Sequence, residues 1–118
     1  MKKFLVLYRA PKSAMAKIDA QMAKATPAEA KAGMDAWMNW GKKNAKAIAD
    51  LGAPLTGGTS LDADGTLGAA AGRTGTYGYS ILQGKSEKDI AKALAKCPHF
   101  KTPGATVDIV EVVPLPGM

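Results

Sequence analysis

Phe4-Leu5-Val6-Leu7-Tyr8 constrains this chain more than any other stretch. Five consecutive apolar residues, closed by Ala10-Pro11, read as a strand. Side chains alternate across a strand, so Phe4, Val6 and Tyr8 share one face while Leu5 and Leu7 share the other. Both sets are apolar, and both faces therefore need cover. A chain of 118 residues supplies one core, too little for two. One covering layer must come from the chain's own helices and the other from outside. With 47% apolar and 22% charged residues the chain has an ordinary globular balance, and residues 1–118 are expected to form a single domain.

The rest of the chain supplies the helices. Ser13 can cap a first helix that carries Met15, Ile18, Met22 and Ala25 at helical spacing. Thr26-Pro27-Ala28-Glu29 then restarts the chain, with threonine at N-cap, proline at N1 and glutamate at N3. The long helix it opens is expected to bury Ala30, Met34, Trp37, Gly41, Ala45, Ile48 and Leu51, and to stop at Gly52 and Pro54. Residues 55–61 read as a weak strand and 62–65 as a turn. Residues 66–76, rich in glycine and alanine, read as either a poor edge strand or a mobile loop, and residues 77–83 as a better strand. Ser86 caps a further helix with Ile90, Leu94 and Cys97 along its apolar edge, ended by Pro98. Residues 107–113 form the final strand before Pro114 and Pro116. This order is β-α-β-β-α-β, an α+β ferredoxin-like unit with an antiparallel sheet and helices on one face. The uncovered sheet face is expected to close against a second copy, giving a homodimer.

The net charge is +6, and fourteen of the sixteen basic residues are lysines. A nucleic-acid binder concentrates arginine with stacking aromatics on one surface, so no nucleic acid is expected as a partner. Lys85, Lys88, Lys92 and Lys96 read as a solvated helix face. Met1-Lys2-Lys3 imitates the start of a signal peptide, but the apolar run to Tyr8 is shorter than the usual ~7–15 residues. No stretch approaches the ~20 apolar residues of a membrane span. A cytoplasmic protein without a membrane partner is the expectation.

Candidate chemistry is sparse. One cysteine and one histidine are too few for a zinc cage within one chain, and nothing calls for a metal or a cofactor. The segment from Gly68 to Thr74 approaches a phosphate loop but is one residue short, carries Arg73 in place of lysine and precedes no helix. Asp62-x-Asp64-Gly65 borrows the middle of a calcium loop without its terminal glutamate and is better read as a turn. Cys97-Pro98-His99 places the thiol and the imidazole within one turn. His99 is the candidate catalytic base, the alternative being a loop histidine that caps helix carbonyls. Trp37 reads as core, whereas Trp40 lies toward the flank of the helix and could wall a pocket. Arg9, at the end of the first strand, could hold an anionic or carbonyl group or form a structural ion pair. Together Arg9, Trp37, Trp40, Tyr79 and His99 are the side chains expected to line a cleft between sheet and helices.

Several segments resemble one family. Met34-Asp35-Ala36-Trp37 through Leu51-Gly52 to Leu61, then Gly78-Tyr79-Ser80-Ile81-Leu82, resembles the YCII-related (DGPF) domains. Ser86-Glu87, Ala91 and Cys97-Pro98-His99 resemble the family's helix and helix end, and residues 104–114 its last strand. The resemblance implies a ferredoxin-like dimeric α+β barrel. It implies little chemistry, since most members have no assigned reaction, and a dehydrochlorinase is among the few enzymes. The Asp-Gly-Pro-Phe tetrapeptide is absent, Ala71 to Tyr77 standing in its place, and so is the family's early histidine. The dehydrochlorinase chemistry is therefore not carried over.

The expectation for function is a small homodimeric protein that binds a small organic molecule, aromatic or anionic, with lyase- or isomerase-type chemistry left open. Its alternatives are a non-catalytic ligand-binding or regulatory module, and a cofactor-free monooxygenase of the dimeric-barrel type.

Overall fold

The computed structural model describes residues 1–55, 58–69 and 75–117. Its first strand, β1, spans Lys2–Arg9, and its burial alternates as the residue pattern requires. Phe4, Val6 and Tyr8 are buried, while Leu5 and Leu7 are half-buried. Two helices follow, α1 at Lys12–Ala23 and α2 at Pro27–Lys43. Strand β2 spans Ile48–Pro54, β3 Thr59–Leu61, β4 Leu67–Ala69 and β5 Thr76–Gly84. Helix α3 spans Glu87–Leu94, and β6 spans Thr106–Val112. The main sheet has four antiparallel strands in the order β2-β5-β1-β6, which places β1 in the interior. The architecture is α+β and compatible with a ferredoxin-like arrangement.

One face of this sheet carries the core. Phe4, Val6 and Tyr8 of β1 and Leu82 of β5 pack with Trp40 of α2, with Ile90 and Leu94 of α3, and with Cys97. Each such fully buried apolar side chain contributes about 1.5–3 kcal/mol of transfer free energy. Leu5, Leu7, Tyr79 and Ile81 lie on the opposite face by register and alternation, beside Val110 and Val112, which are 48% and 45% exposed.

The long helix differs most from the sequence reading. Its capping box is present, with Glu29 N–H donating to Thr26 Oγ1 at 3.2 Å and the Glu29 carboxylate accepting from the Thr26 N–H. It ends at Lys43, however, rather than near Leu51. Asn44 terminates it by donating to the Trp40 carbonyl from both its backbone N–H and its side-chain amide. A single 3₁₀ turn at Ala45–Ala47 then leads into β2. Ile48 and Leu51 still pack on the core, because register shifts along β2 let both reach the same face. Met34, expected inside, is 64% exposed.

Smaller differences follow the same logic. Pro11, not Ser13, occupies the N-cap of α1, which buries no residue fully and leaves Met22 58% exposed. Ser86 stands at the N-cap of α3 without a side-chain bond, and Asp89 instead accepts from the Lys85 N–H at 3.0 Å. Pro98 opens a 3₁₀ turn, Pro98–Lys101. From the weak strand and the glycine-rich stretch, Thr59–Leu61 and Leu67–Ala69 pair as a separate two-stranded hairpin, β3 with β4, in which Leu61 is opposite Leu67. Its turn is the Asp62–Gly65 segment, closed by Gly65 N–H to the Asp62 carbonyl and by Thr66 N–H to Asp64 Oδ1, each at 2.9 Å. Residues 56, 57 and 70–74, including Gly72 and Arg73 of the loop resembling a phosphate loop, lie outside the described residues. Among the described residues no helix is long and apolar enough to cross a membrane.

Candidate functional site

The chemically versatile side chains gather under one end of β1. Tyr8 sits on the core face with its ring edge-on to Trp37 and to His99, each centroid 5.3 Å away. Its hydroxyl lies 2.8 Å from Ser80 Oγ, and Ser80 Oγ lies 2.5 Å from the Leu51 carbonyl. A carbonyl only accepts, so Ser80 spends its one proton on Leu51, and Tyr8 must be the donor to Ser80. This relay crosses β1, β5 and β2 and ends on backbone. Burial, only partly offset by the Ser80 bond, pushes the Tyr8 hydroxyl up to about 12. Cys97 beside it is 3% exposed, and burial pushes its thiol up to about 11. Neither group is a ready acid or nucleophile near neutral pH.

His99 is 9% exposed. Its Nε2 lies 2.8 Å from the Arg9 carbonyl and 3.2 Å from the Thr106 carbonyl. Both partners are acceptors, so Nε2 carries the proton and donates to the pair. Arg9 and Thr106 face each other across β1 and β6, so the imidazole clamps the ends of two neighbouring strands. The capping alternative came close to this arrangement, but the carbonyls belong to strands rather than to a helix.

Arg9 extends to the other face of the sheet. Its Nη1 donates to Thr76 Oγ1 at 3.0 Å, and its Nε lies 3.7 Å from Asp108 Oδ2. Asp108 pairs in register with Leu7, which also pairs with Tyr79, so Arg9 and Tyr79 share the open face. The five expected site residues are therefore divided. Trp37, Trp40 and His99 lie on the helix side, and Arg9 and Tyr79 lie across the sheet from them. Helical spacing put Trp37 deeper than Trp40, and the burial of the two is the reverse. Trp40 is the buried one, 4% exposed, with its indole N–H donating to the Ala93 carbonyl at 2.9 Å, while Trp37 is only partly buried.

Two grooves open beside this core. One, of about 320 Å³, is apolar and lies between α3, Phe100 and β6, with Leu94, Val107 and Ile109 in its wall. The other, of about 380 Å³, runs between the last turns of α2 and residues 92–101, with Trp40 in its wall and Lys43, Lys92, Lys96 and Lys101 around it. Sequence reasoning placed Lys92 and Lys96 on a solvated face and singled out neither Lys43 nor Lys101, because the convergence arises only when α2 packs against α3. Among the described residues no group of three or more histidine, cysteine, aspartate or glutamate side chains is placed to hold a metal ion.

No protein-family model matches the chain, and no curated protein matches it.

Proposed function

We propose that this chain is a non-catalytic small-molecule-binding module, working as a homodimer closed across the open sheet face. One observation carries the first half: Tyr8, Cys97 and His99, the groups best suited to acid–base or nucleophilic work, are buried and engaged inside the fold. A lyase, an isomerase or a cofactor-free oxygenase needs such a group within reach of substrate. The second half is supported by the apolar face carrying Leu5, Leu7, Ile81, Val110 and Val112. A second copy presents the same surface under a two-fold axis, the commonest symmetry among oligomers. The dimeric α+β barrel implied by the resemblance to YCII-related domains agrees with this reading, as does a cytoplasmic setting.

The test is incubation with mixed metabolites, followed by mass spectrometry of both the protein-bound and the free fractions. The expected result is a compound retained unchanged, with an affinity that His99→Gln alters less than about twofold. Time-dependent loss of a compound, abolished by His99→Gln, would overturn the proposal.

A further inference from the structure

We propose that the groove between the C-terminal ends of α2 and α3 binds a small, multiply charged anion, specifically a phosphate ester or diphosphate. Lys43 comes from α2, Lys92 from α3, Lys96 from the segment after it and Lys101 from the 3₁₀ turn. All four are exposed, and the groove wall contains no carboxylate. None of their four ammonium groups makes a hydrogen bond or ion pair among the described residues, whereas those of Lys2 and Lys31 reach Glu111 and Asp35.

The ordinary reason for lysines at helix ends is insufficient here. A helix C-terminus carries about half a negative charge, so two of them offset roughly one of four positive charges. Several of the carbonyls that lysines could otherwise cap are also taken. Trp40 Nε1 donates to Ala93, the Cys97 N–H donates to Leu94, and Asn44 donates to Trp40. A surplus of about three charges faces a concavity whose size suits a small ligand. The groove holds no arginine and its one aromatic, Trp40, is buried, so a stacked nucleic acid strand is not its match. Lysines act as point charges on phosphate, and several converging on one volume favour two or more negative charges over one.

The proposal rests on the binding-module reading, but its test reads occupancy of the groove rather than turnover, so the failure of either is separately visible. Pyrophosphate is titrated into ¹⁵N-labelled protein at constant ionic strength, and the Trp40 indole and the amides of residues 43 and 92–101 are followed. The expected result is a saturable shift at these positions, with the dissociation constant raised at least tenfold by Lys92→Glu/Lys96→Glu. A milder pair, Lys92→Gln/Lys96→Gln, should raise it several-fold while leaving the indole resonance of the free protein in place. Lys12→Glu/Lys17→Glu on α1 should change it less than twofold. Shifts that do not saturate, that spread equally over all lysines, or that survive both groove variants overturn the proposal.

Discussion

Replacing Gly52 tests the account of β2 directly, because a helix end and a bulged strand respond differently. Gly52 has φ +80°, and a Cβ added there would lie 1.8 Å from the Tyr79 carbonyl oxygen and 2.7 Å from its carbon. For alanine the left-handed backbone alone costs about 1–2 kcal/mol. The clash adds to this, because it is with backbone and β2 must draw away from β5 to relieve it. The pairs Asp50↔Ile81 and Ala53↔Tyr79 flank the collision and would be strained or lost. Together these put Gly52→Ala at about 3–5 kcal/mol, a large share of a typical domain stability. Asparagine tolerates the left-handed region, so at a helix end Gly52→Asn would recover most of the loss. Here its Cβ meets the same carbonyl, and it should not. Urea unfolding followed by tryptophan fluorescence measures both variants. A loss below about 1 kcal/mol for alanine, or substantial rescue by asparagine, would refute this account.

Gly33 lies within α2 with nothing inside 4 Å of its missing Cβ, so Gly33→Ala should stabilise the same unfolding transition by about 0.5–1 kcal/mol. Tyr8 and Cys97 are neutral when protonated, and burial raises them from 10.0 to about 12 and from 9.0 to about 11. The unfolded chain therefore ionises first: stability should hold below about pH 9 and fall as pH rises toward about 12. Tyr8→Phe should flatten that alkaline fall, and an unchanged urea midpoint profile would contradict the burial argument. Val110→Lys alters a side chain already 48% exposed, so the subunit should fold normally while light scattering reports a monomer mass. A dimer of undiminished affinity would count against the open face as the interface.

Local chemistry was legible wherever it was strong. The alternation in β1, the Thr26 capping box and the Asp62–Gly65 turn can be read from neighbouring residues and stand in the structure. Residues 45–51 misled because Ala45, Ile48 and Leu51 keep a helix-like spacing. That spacing also suits a bulged strand, since irregular register lets residues three apart meet one core. The five expected site residues could be named one by one from the sequence, but the faces they occupy could not. A lone histidine and a strand-end arginine announce themselves in sequence, yet the face each serves depends on partners about seventy to ninety residues away. The lysine groove left no local signal, because its members come from separate segments.

The irregular register of β2 also bears on how molecules of this protein meet one another. β2 and β6 are the two edges of the main sheet, and an unbroken edge invites another chain to add a strand. Along β2 the shifts around Asp50 and Ala53 interrupt the ladder, and Pro54 withholds an N–H at its end. Along β6, Asp108 and Glu111 place charge within an otherwise β-prone run, and Pro114 follows close behind. Ribbon-like growth is thus discouraged at both margins, and the irregular register around Gly52 that makes a side chain there intolerable also breaks one of the two edges.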